Sequence, residues 1–232
     1  MKRIKSLQAL YEELFAAFGP QHWWPGETPF EIAVGAILTQ NTNWSNVEKA
    51  IANIKQAKAL DARALHALPD EDLAALVRPA GYFNVKARRL KAFLRYLLSS
   101  YSGSLSRMKK CDLGRLRPEL LNVHGIGPET ADSILLYALG KPVFVIDAYT
   151  KRVLSRHGVI AYEEPYDAYQ RLFHEQLPPY VQLYNEFHAL FVRVGKEYCR
   201  PKPRCGACPL SKRLPRARNL LRARIKGGVQ TA

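Results

Sequence analysis

Residues Leu120–Asp147 read LLNVHGIGPETADSILLYALGKPVFVID, and this stretch decides the fold of the chain. Two apolar runs with helical spacing flank a turn made of Gly125, Ile126 and Gly127. Pro128 follows at a first helical position, where its missing N–H costs nothing. The glycines leave backbone N–H groups uncovered at a helix start, where a phosphate oxygen can bind without any reading of sequence. The pattern predicts a helical hairpin, and an acid ends the loop that leaves it.

Composition limits the class of protein and its partners. The chain has 232 residues, enough for one large domain or two small interdigitated ones, and its formal net charge of +15 favours a polyanionic partner over a generically basic protein. No apolar run approaches the roughly 20 residues that a membrane span needs. Glu12 and Glu13 interrupt the basic N-terminal segment, so it is read as an amphipathic helix rather than a signal peptide. We expect a cytoplasmic, nucleoid-associated monomer with no membrane contact.

Helical spacing prevails along most of the chain. The sequence predicts helices at residues 5–18, from Pro29 onward, through 46–76, and in the segments that follow Asp147. Residues 101–115 read as a polar linker. Alternation typical of a strand occurs only at 143–146, which is too short to count, so the predicted fold class is all-α.

The hairpin, with Asp147 twenty residues after Gly127, resembles the helix-hairpin-helix DNA glycosylases, the endonuclease III-like superfamily. This resemblance implies two helical lobes with a DNA cleft between them. The first lobe would span about 29–138 and end in the hairpin, and the second would join 1–28 to 139–232. A basic tail would begin at about 211. The implied partner is double-stranded DNA with a damaged base, and a non-catalytic hairpin DNA-binding protein stays open.

Asp147 is the catalytic residue that the resemblance implies. Cleavage of an N-glycosidic bond passes, by analogy with glycoside hydrolysis, through an oxocarbenium-like sugar that needs a nearby carboxylate. The same residue also suits a helix N-cap, and the two roles are compatible. Glu129 stands where bifunctional members carry a lysine that forms a Schiff base. This difference implies release of the base without strand cleavage, although Lys151 or Lys196 could take the place of that lysine.

All three tryptophans of the chain, Trp23, Trp24 and Trp44, fall within a short segment. The WWP and LTQNT-x-W elements, together with Glu129, resemble the 3-methyladenine DNA glycosylase III branch. The resemblance implies a base pocket made by the tryptophans and Lys196, with Glu129 nearby. Such electron-rich faces suit a cationic alkylated purine. We expect one tryptophan to be a core residue. An endonuclease III-like glycosylase with lyase activity, or one acting on mismatched or oxidised bases, stays open.

Further residues match positions that contact DNA in the superfamily. A polar side chain from the TQNT segment enters the DNA stack there, and a residue in the Gly81–Asn84 loop wedges into the gap left by the flipped base. Phe83 of the same loop reads as a core residue. A basic loop near the C-terminus meets phosphates. The implied DNA-binding residues are Gln40, Asn41, Tyr82, Asn84, Lys86, Gly125, Ile126, Gly127, Lys202 and Arg204.

Three cysteines match ligands of the [4Fe–4S] cluster loop in endonuclease III relatives. They are Cys199, Cys205 and Cys208, and the fourth ligand position holds Leu214, which cannot ligate. Three outcomes stay open: a cluster on three thiolates with a solvent or remote ligand, loss of the cluster with the cysteines left behind, or zinc with a distant histidine. Cys111 reads as an isolated, half-buried thiol.

Overall fold

The computed structural model describes residues 6–23 and 26–214. This part of the chain is helical throughout and contains no β-strand, which confirms the predicted all-α class. Short 3₁₀ turns occupy Arg78–Ala80, Cys205–Ala207 and Pro209–Arg213, and a π-helical turn, Ile134–Ala138, continues α9. The α-helices are α1 (Leu7–Phe18), α2 (Pro29–Leu38), α3 (Trp44–Gln56), α4 (Ala62–Ala67), α5 (Asp70–Leu76), α6 (Phe83–Tyr101), α7 (Leu105–Met108), α8 (Leu113–Leu121), α9 (Pro128–Ser133), α10 (Ala148–Arg156), α11 (Tyr166–Gln176) and α12 (Val181–Glu197).

The chain divides into two compact units. One is discontinuous and joins Met1–Trp23 to Phe144–Ala232, and the other is continuous and spans Trp24–Val143. These junctions lie a few residues outside the predicted span 29–138. Most of the basic tail expected from about 211 falls outside the described residues, as does Trp24. No helix in the described ranges has both the length and the apolar character needed to cross a membrane.

Aromatic side chains form the core of the discontinuous unit. Phe144 stacks on Phe173 with ring centroids 3.6 Å apart, and Phe187 meets the edge of Phe144 at 5.9 Å. Phe191 stacks on Phe187 at 4.7 Å. Offset and edge-on contacts of this kind add to the free energy gained from area burial. This cluster fixes α11, α12 and the segment that leads into Asp147 as one packed body.

The continuous unit is built around α2, which packs against α3, α6 and the π-helical turn after α9. Nearly every side chain of α2 from Ala33 to Leu38 is buried, so this helix is central in its unit. Thr28 accepts from the backbone N–H of Glu31 at 3.1 Å, and Pro29 occupies the first turn. Both features agree with the sequence signals for this helix start.

The predicted linker at 101–115 is not a loop alone. It contains α7 and the start of α8. Ser104 caps α7 by accepting from the backbone N–H of Arg107 at 3.3 Å, and Leu105 and Met108 bury their side chains. Because these two apolar residues are three positions apart, they share one helical face, which a search for longer periodic runs overlooks.

Candidate active site and DNA-binding elements

The carboxylate of Asp147 sits at the start of α10. Its Oδ1 accepts a hydrogen bond from the backbone N–H of Thr150 at 2.7 Å, so Asp147 is the N-cap of that helix. Its Oδ2 lies 3.5 Å from Nε2 of His188, on α12. Asp147 is 8% exposed, so the group is nearly enclosed while its backbone enters from an extended segment.

The surroundings of Asp147 favour its anionic form. Burial by itself would raise the pKa of this carboxyl group, but the charge of His188 and hydrogen bonds from His188 and Thr150 outweigh burial and lower it. The N-terminus of α10 adds a positive partial charge beside the same carboxylate. An anion held in a nearly closed site is what stabilisation of a cationic sugar requires.

Three side chains of α11 hold the segment that carries Asp147. They occur every fourth residue, on one face of the helix: Tyr166 accepts from Ile146 N at 3.2 Å, and Gln170 donates to Phe144 O at 2.8 Å. His174 Nε2 accepts from Phe144 N at 3.1 Å. We call this set the α11 ladder. The ladder supplies hydrogen-bond partners to the backbone groups of Phe144 and Ile146, which lie in no sheet. It thereby fixes the position of Asp147 at the start of α10.

The predicted base-pocket residues are divided between the two units. Lys196 Nζ lies 5.8 Å from the ring centroid of Trp23, which is a cation–π distance, and both residues belong to the discontinuous unit. Trp44 belongs to the other unit, where its Nε1 donates to Glu48 at 2.7 Å. A Cβ placed on Gly35 would lie 3.4 Å from the Trp44 ring, so this half-buried tryptophan packs closely on α2.

The Gly-Ile-Gly turn is tied to the rest of its unit by Gln40. The side-chain Nε2 of Gln40 donates to Gly125 O at 3.0 Å and to Thr130 Oγ1 at 2.9 Å, while its Oε1 accepts from Arg89. This amide is fully used within the protein. Its side chain is half-buried, and the expectation that Gln40 enters a DNA stack stays a prediction. Asn41, the next residue, is exposed and has a φ of 52°. Its entry into the DNA stack also stays a prediction.

The two glycines of the turn have different roles. Gly125 has φ of +81°, and a Cβ there would lie 2.3 Å from Cγ of Arg89. Gly127 has φ of −91° and no atom within 4 Å of an added Cβ. Ile126 between them is buried. Gly125 is therefore required by the fold, whereas Gly127 presents open backbone at the start of α9, where Glu129 is exposed.

The loop before α6 presents one large aromatic ring to solvent. Tyr82 is 71% exposed and adopts a left-handed conformation with φ of 45°, and Asn84 is exposed beside it. Lys86 is only 1% exposed and donates to Ala80 O at 2.6 Å. Burial and the charge of Arg89 lower its pKa to about 8. This corrects the expectation that Lys86 contacts DNA, because its ammonium group faces the loop backbone.

The cysteine loop follows α12 and is held by arginines. Arg156 Nη1 lies 3.4 Å from Sγ of Cys199 and donates to Arg200 O at 2.6 Å. Its Nη2 donates to Pro201 O at 3.2 Å. Lys202 and Arg204 are exposed on this loop. Contact of these two side chains with DNA phosphates stays a prediction.

These residues do not fit a four-thiolate cluster. The fourth position is the aliphatic Leu214, which offers no atom that can bind iron. Cys205 and Cys208 are half-buried. Among residues 6–23 and 26–214, no group of three or more His, Cys, Asp or Glu side chains is placed to hold a metal ion.

Comparison with known proteins places the fold and the site in a family. The family model described as "HhH-GPD superfamily base excision DNA repair protein" matches residues 34–179, more than half of the chain. The chain belongs to the HhH-GPD superfamily. A Methanocaldococcus jannaschii protein, whose provisional name is DNA repair glycosylase, is 45% identical over 210 residues, which are 90% of this chain and 95% of the relative. This HhH-GPD protein is therefore a base excision DNA repair protein by family.

Solved structures agree with the family assignment. A Helicobacter pylori 3-methyladenine DNA glycosylase bound to 1,N6-ethenoadenine is 29% identical, with a TM-score of 0.71 over 83% of this chain and 98% of that one. An endonuclease III–DNA complex is 21% identical, with a TM-score of 0.80 over 96% of this chain and all of that one. At 21% identity, the similarity to the endonuclease III complex shows a shared fold and nothing more.

Several functional residues of this HhH-GPD protein escaped the sequence reasoning. His188 lies in the apolar run FHALF of α12, where a titratable residue among buried neighbours is the signal that could have identified it. The α11 ladder could have been noticed as polar residues every fourth position on a helix with an apolar face. Arg89 carries no such signal, because its contact with the hairpin joins distant parts of the sequence.

Proposed function

We propose that this protein hydrolyses the N-glycosidic bond of an alkylated purine, such as 3-methyladenine, in double-stranded DNA and leaves an abasic site. The observation that carries the proposal is the enclosed anion of Asp147, capped on the N-terminus of α10 and facing His188. The likeness to the Helicobacter pylori 3-methyladenine DNA glycosylase supports this choice of substrate.

Asp147 acts on the sugar rather than on the base. As the N-glycosidic bond breaks, positive charge develops on the sugar, and a fixed carboxylate stabilises that charge without reorganising. The same anion also orients or deprotonates the attacking water. A 3-methyladenine base is cationic and already a good leaving group, so the protein does not need a strong acid to protonate it.

Trp23 supports the assignment of an alkylated purine. Its indole ring offers an electron-rich face, which attracts a cationic base. Lys196 sits at the same ring and is exposed, so its ammonium group can reach the edge of a bound base. The resemblance assigns Glu129 to this pocket, together with Trp24, which lies outside the described residues. Trp44 is the tryptophan that we assign to packing.

Glu129 and the contacts of Lys151 support a reaction without strand cleavage. Glu129 replaces the lysine that would form a Schiff base. Lys151 does not offer a substitute, because its Nζ donates to Glu164 O at 2.9 Å. The same ammonium lies 5.4 Å from the Tyr162 ring centroid and 5.0 Å from that of Tyr169. A charged amine held in this way is a poor nucleophile.

Exposed groups of the described chain supply the DNA contacts of the proposal. Gly127 offers uncovered backbone to a phosphate, and Tyr82 supplies a ring that can fill the gap left by a flipped nucleotide. Asn41 lies beside the hairpin-bound Gln40, and Lys202 and Arg204 carry positive charge on the cysteine loop. Together with the net charge of +15, these groups favour duplex DNA as the partner.

The test measures release of 3-methyladenine from methylated duplex DNA under single-turnover conditions. We expect wild type to release the base and Asp147→Asn to be slower by about 10³-fold or more, since it loses the charge that stabilises the sugar cation. Asparagine also caps helices, so the variant keeps its fold. Asp112→Asn is the matched control, because Asp112 caps α8 by accepting from Arg115 N at 2.9 Å and should leave the rate unchanged.

Other outcomes would select another function. Base release accompanied by strand nicking in wild type would indicate lyase activity by another amine. If the protein released mismatched or oxidised bases but not methylated purines, the proposed substrate would change to those bases. Tight DNA binding with no release from any lesion would leave a non-catalytic hairpin protein.

A further inference from the structure

His188 is a buried titratable residue in an apolar part of the discontinuous unit. It lies on α12 between Phe187 and Ala189, is 4% exposed, and its ring meets the edge of Phe144 at a centroid distance of 6.4 Å. An imidazole in such surroundings loses hydration, so its position needs a compensating interaction. The carboxylate of Asp147, 3.5 Å from Nε2, provides one.

The two oxygens of Asp147 have different partners. Oδ1 is committed to the backbone N–H of Thr150 and therefore to capping α10. Oδ2 faces the ring of His188. The cap holds the carboxylate by Oδ1, and rotation about the Cβ–Cγ bond would move that oxygen away from Thr150 N. The charge of His188 on the side of Oδ2 further favours this orientation of the group.

We infer that His188 is a positioning residue that holds Asp147 ionised and in the one orientation in which it stabilises the nucleotide sugar as its bond to the base breaks. This inference rests on the proposed function of Asp147. His188 touches the carboxylate rather than the nucleotide, so it acts through Asp147. When the imidazole is protonated, its charge offsets the cost of burying the carboxylate, and Oδ2 lies at ion-pair distance from Nε2.

Other titratable groups surround this pair on the elements packed against it. Tyr166 and His174 of α11 bind the backbone that leads to Asp147. Tyr184 of α12 stacks on His174, with ring centroids 5.7 Å apart. On α1, Tyr11 meets the edge of Phe187 beside His188. Lys151 of α10 bonds to Glu164 O. The pH dependence of the pair must be measured against this background.

The experiment compares wild type with His188→Gln and His188→Phe in single-turnover base release across pH. Glutamine keeps a hydrogen-bond donor and removes the charge, while phenylalanine removes both. We expect each variant to shift the acidic limb of the pH–rate profile upward by about one pH unit or more, which lowers the rate on that limb about tenfold. Affinity for duplex DNA should be unchanged. His157→Gln is the matched control, because this buried histidine bonds to Arg213 O and not to Asp147.

A second measurement keeps the inference testable without turnover. The carbon-13 shift of the Asp147 carboxyl is titrated by NMR in wild type and in His188→Gln, after circular dichroism has verified folding. A higher midpoint in the variant supports the pairing. An unchanged midpoint together with an unchanged pH–rate profile overturns it. If wild type releases no base from any lesion, the proposed function fails. The NMR midpoint then still decides whether His188 favours the ionised form of the Asp147 carboxyl group.

Discussion

The side-chain amide of Gln40 donates to the carbonyl oxygen of Gly125 at 3.0 Å, across 85 residues of sequence. The same nitrogen donates to Thr130, and Arg89 donates to the amide oxygen. The end of α2 and the hairpin turn are thus held together by one residue. The shape of the turn depends on this contact as well as on its glycines.

Replacing Gln40 should loosen the hairpin. In Gln40→Leu the carbonyl of Gly125 loses its donor, and we expect a loss of about 1–3 kcal/mol in the free energy of unfolding. Duplex DNA affinity should fall with it. Urea denaturation and fluorescence anisotropy measure the two effects. Gln56→Leu, at the exposed end of α3, is the control and should change neither. Unchanged stability in Gln40→Leu would show that the contact does not hold the turn.

The two glycines of the turn should respond differently to alanine. Gly125→Ala forces a left-handed backbone on alanine and drives Cβ into Arg89, so we expect a loss of stability of about 1–3 kcal/mol. Gly127→Ala has space and an allowed φ, so its stability should match that of wild type. If Gly127 binds a phosphate, its alanine variant should lose DNA affinity alone. Equal melting temperatures for the two variants would contradict this division.

Buried His157 should make stability depend on pH. Burial lowers the pKa of His157 in the folded protein, against the opposing effect of its bond to Arg213 O. The unfolded chain therefore takes up this proton first as pH falls below about 6.5, and the folded state loses stability in that window. We expect the decrease in unfolding free energy between pH 7.5 and pH 5.5 to be smaller in His157→Gln than in wild type.

The control for this titration is His124→Gln, because His124 is exposed. Its loss of stability on acidification should equal that of wild type. A His157→Gln profile parallel to the wild-type profile would show that His157 titrates alike in both states.

The cysteine loop should depend on Arg156 rather than on a four-thiolate cluster. In Arg156→Leu the carbonyls of Arg200 and Pro201 lose their donor, and we expect the free energy of unfolding to fall by about 0.5–1.5 kcal/mol, with faster proteolysis of the loop. Arg171→Leu, at an exposed position of α11, should have no effect. Iron analysis of wild type completes the test. A stoichiometric iron–sulfur cluster, with no effect of Arg156→Leu, would contradict this account.

The sequence alone was sufficient for the features that depend on neighbouring residues. The all-α class follows from helical spacing, and the start of α2 follows from Thr28 and Pro29 in one turn. The hairpin also has a local sequence signal, because its two glycines and Pro128 lie within four consecutive residues. Asp147 was predicted from its place twenty residues after Gly127. Apart from that spacing, each of these signals depends on residues that are near neighbours in the sequence.

Tertiary structure decided what surrounds those features. Lys86 reads as a basic DNA contact in the sequence, but the packing of α6 turns its ammonium group toward Ala80 O. The side-chain amide of Gln40 binds the hairpin, 85 residues away in the sequence. His188 reaches Asp147 only because α12 packs on α10. Side-chain direction, burial and electrostatic environment depend on contacts between residues that are far apart in the chain, and no local pattern encodes them.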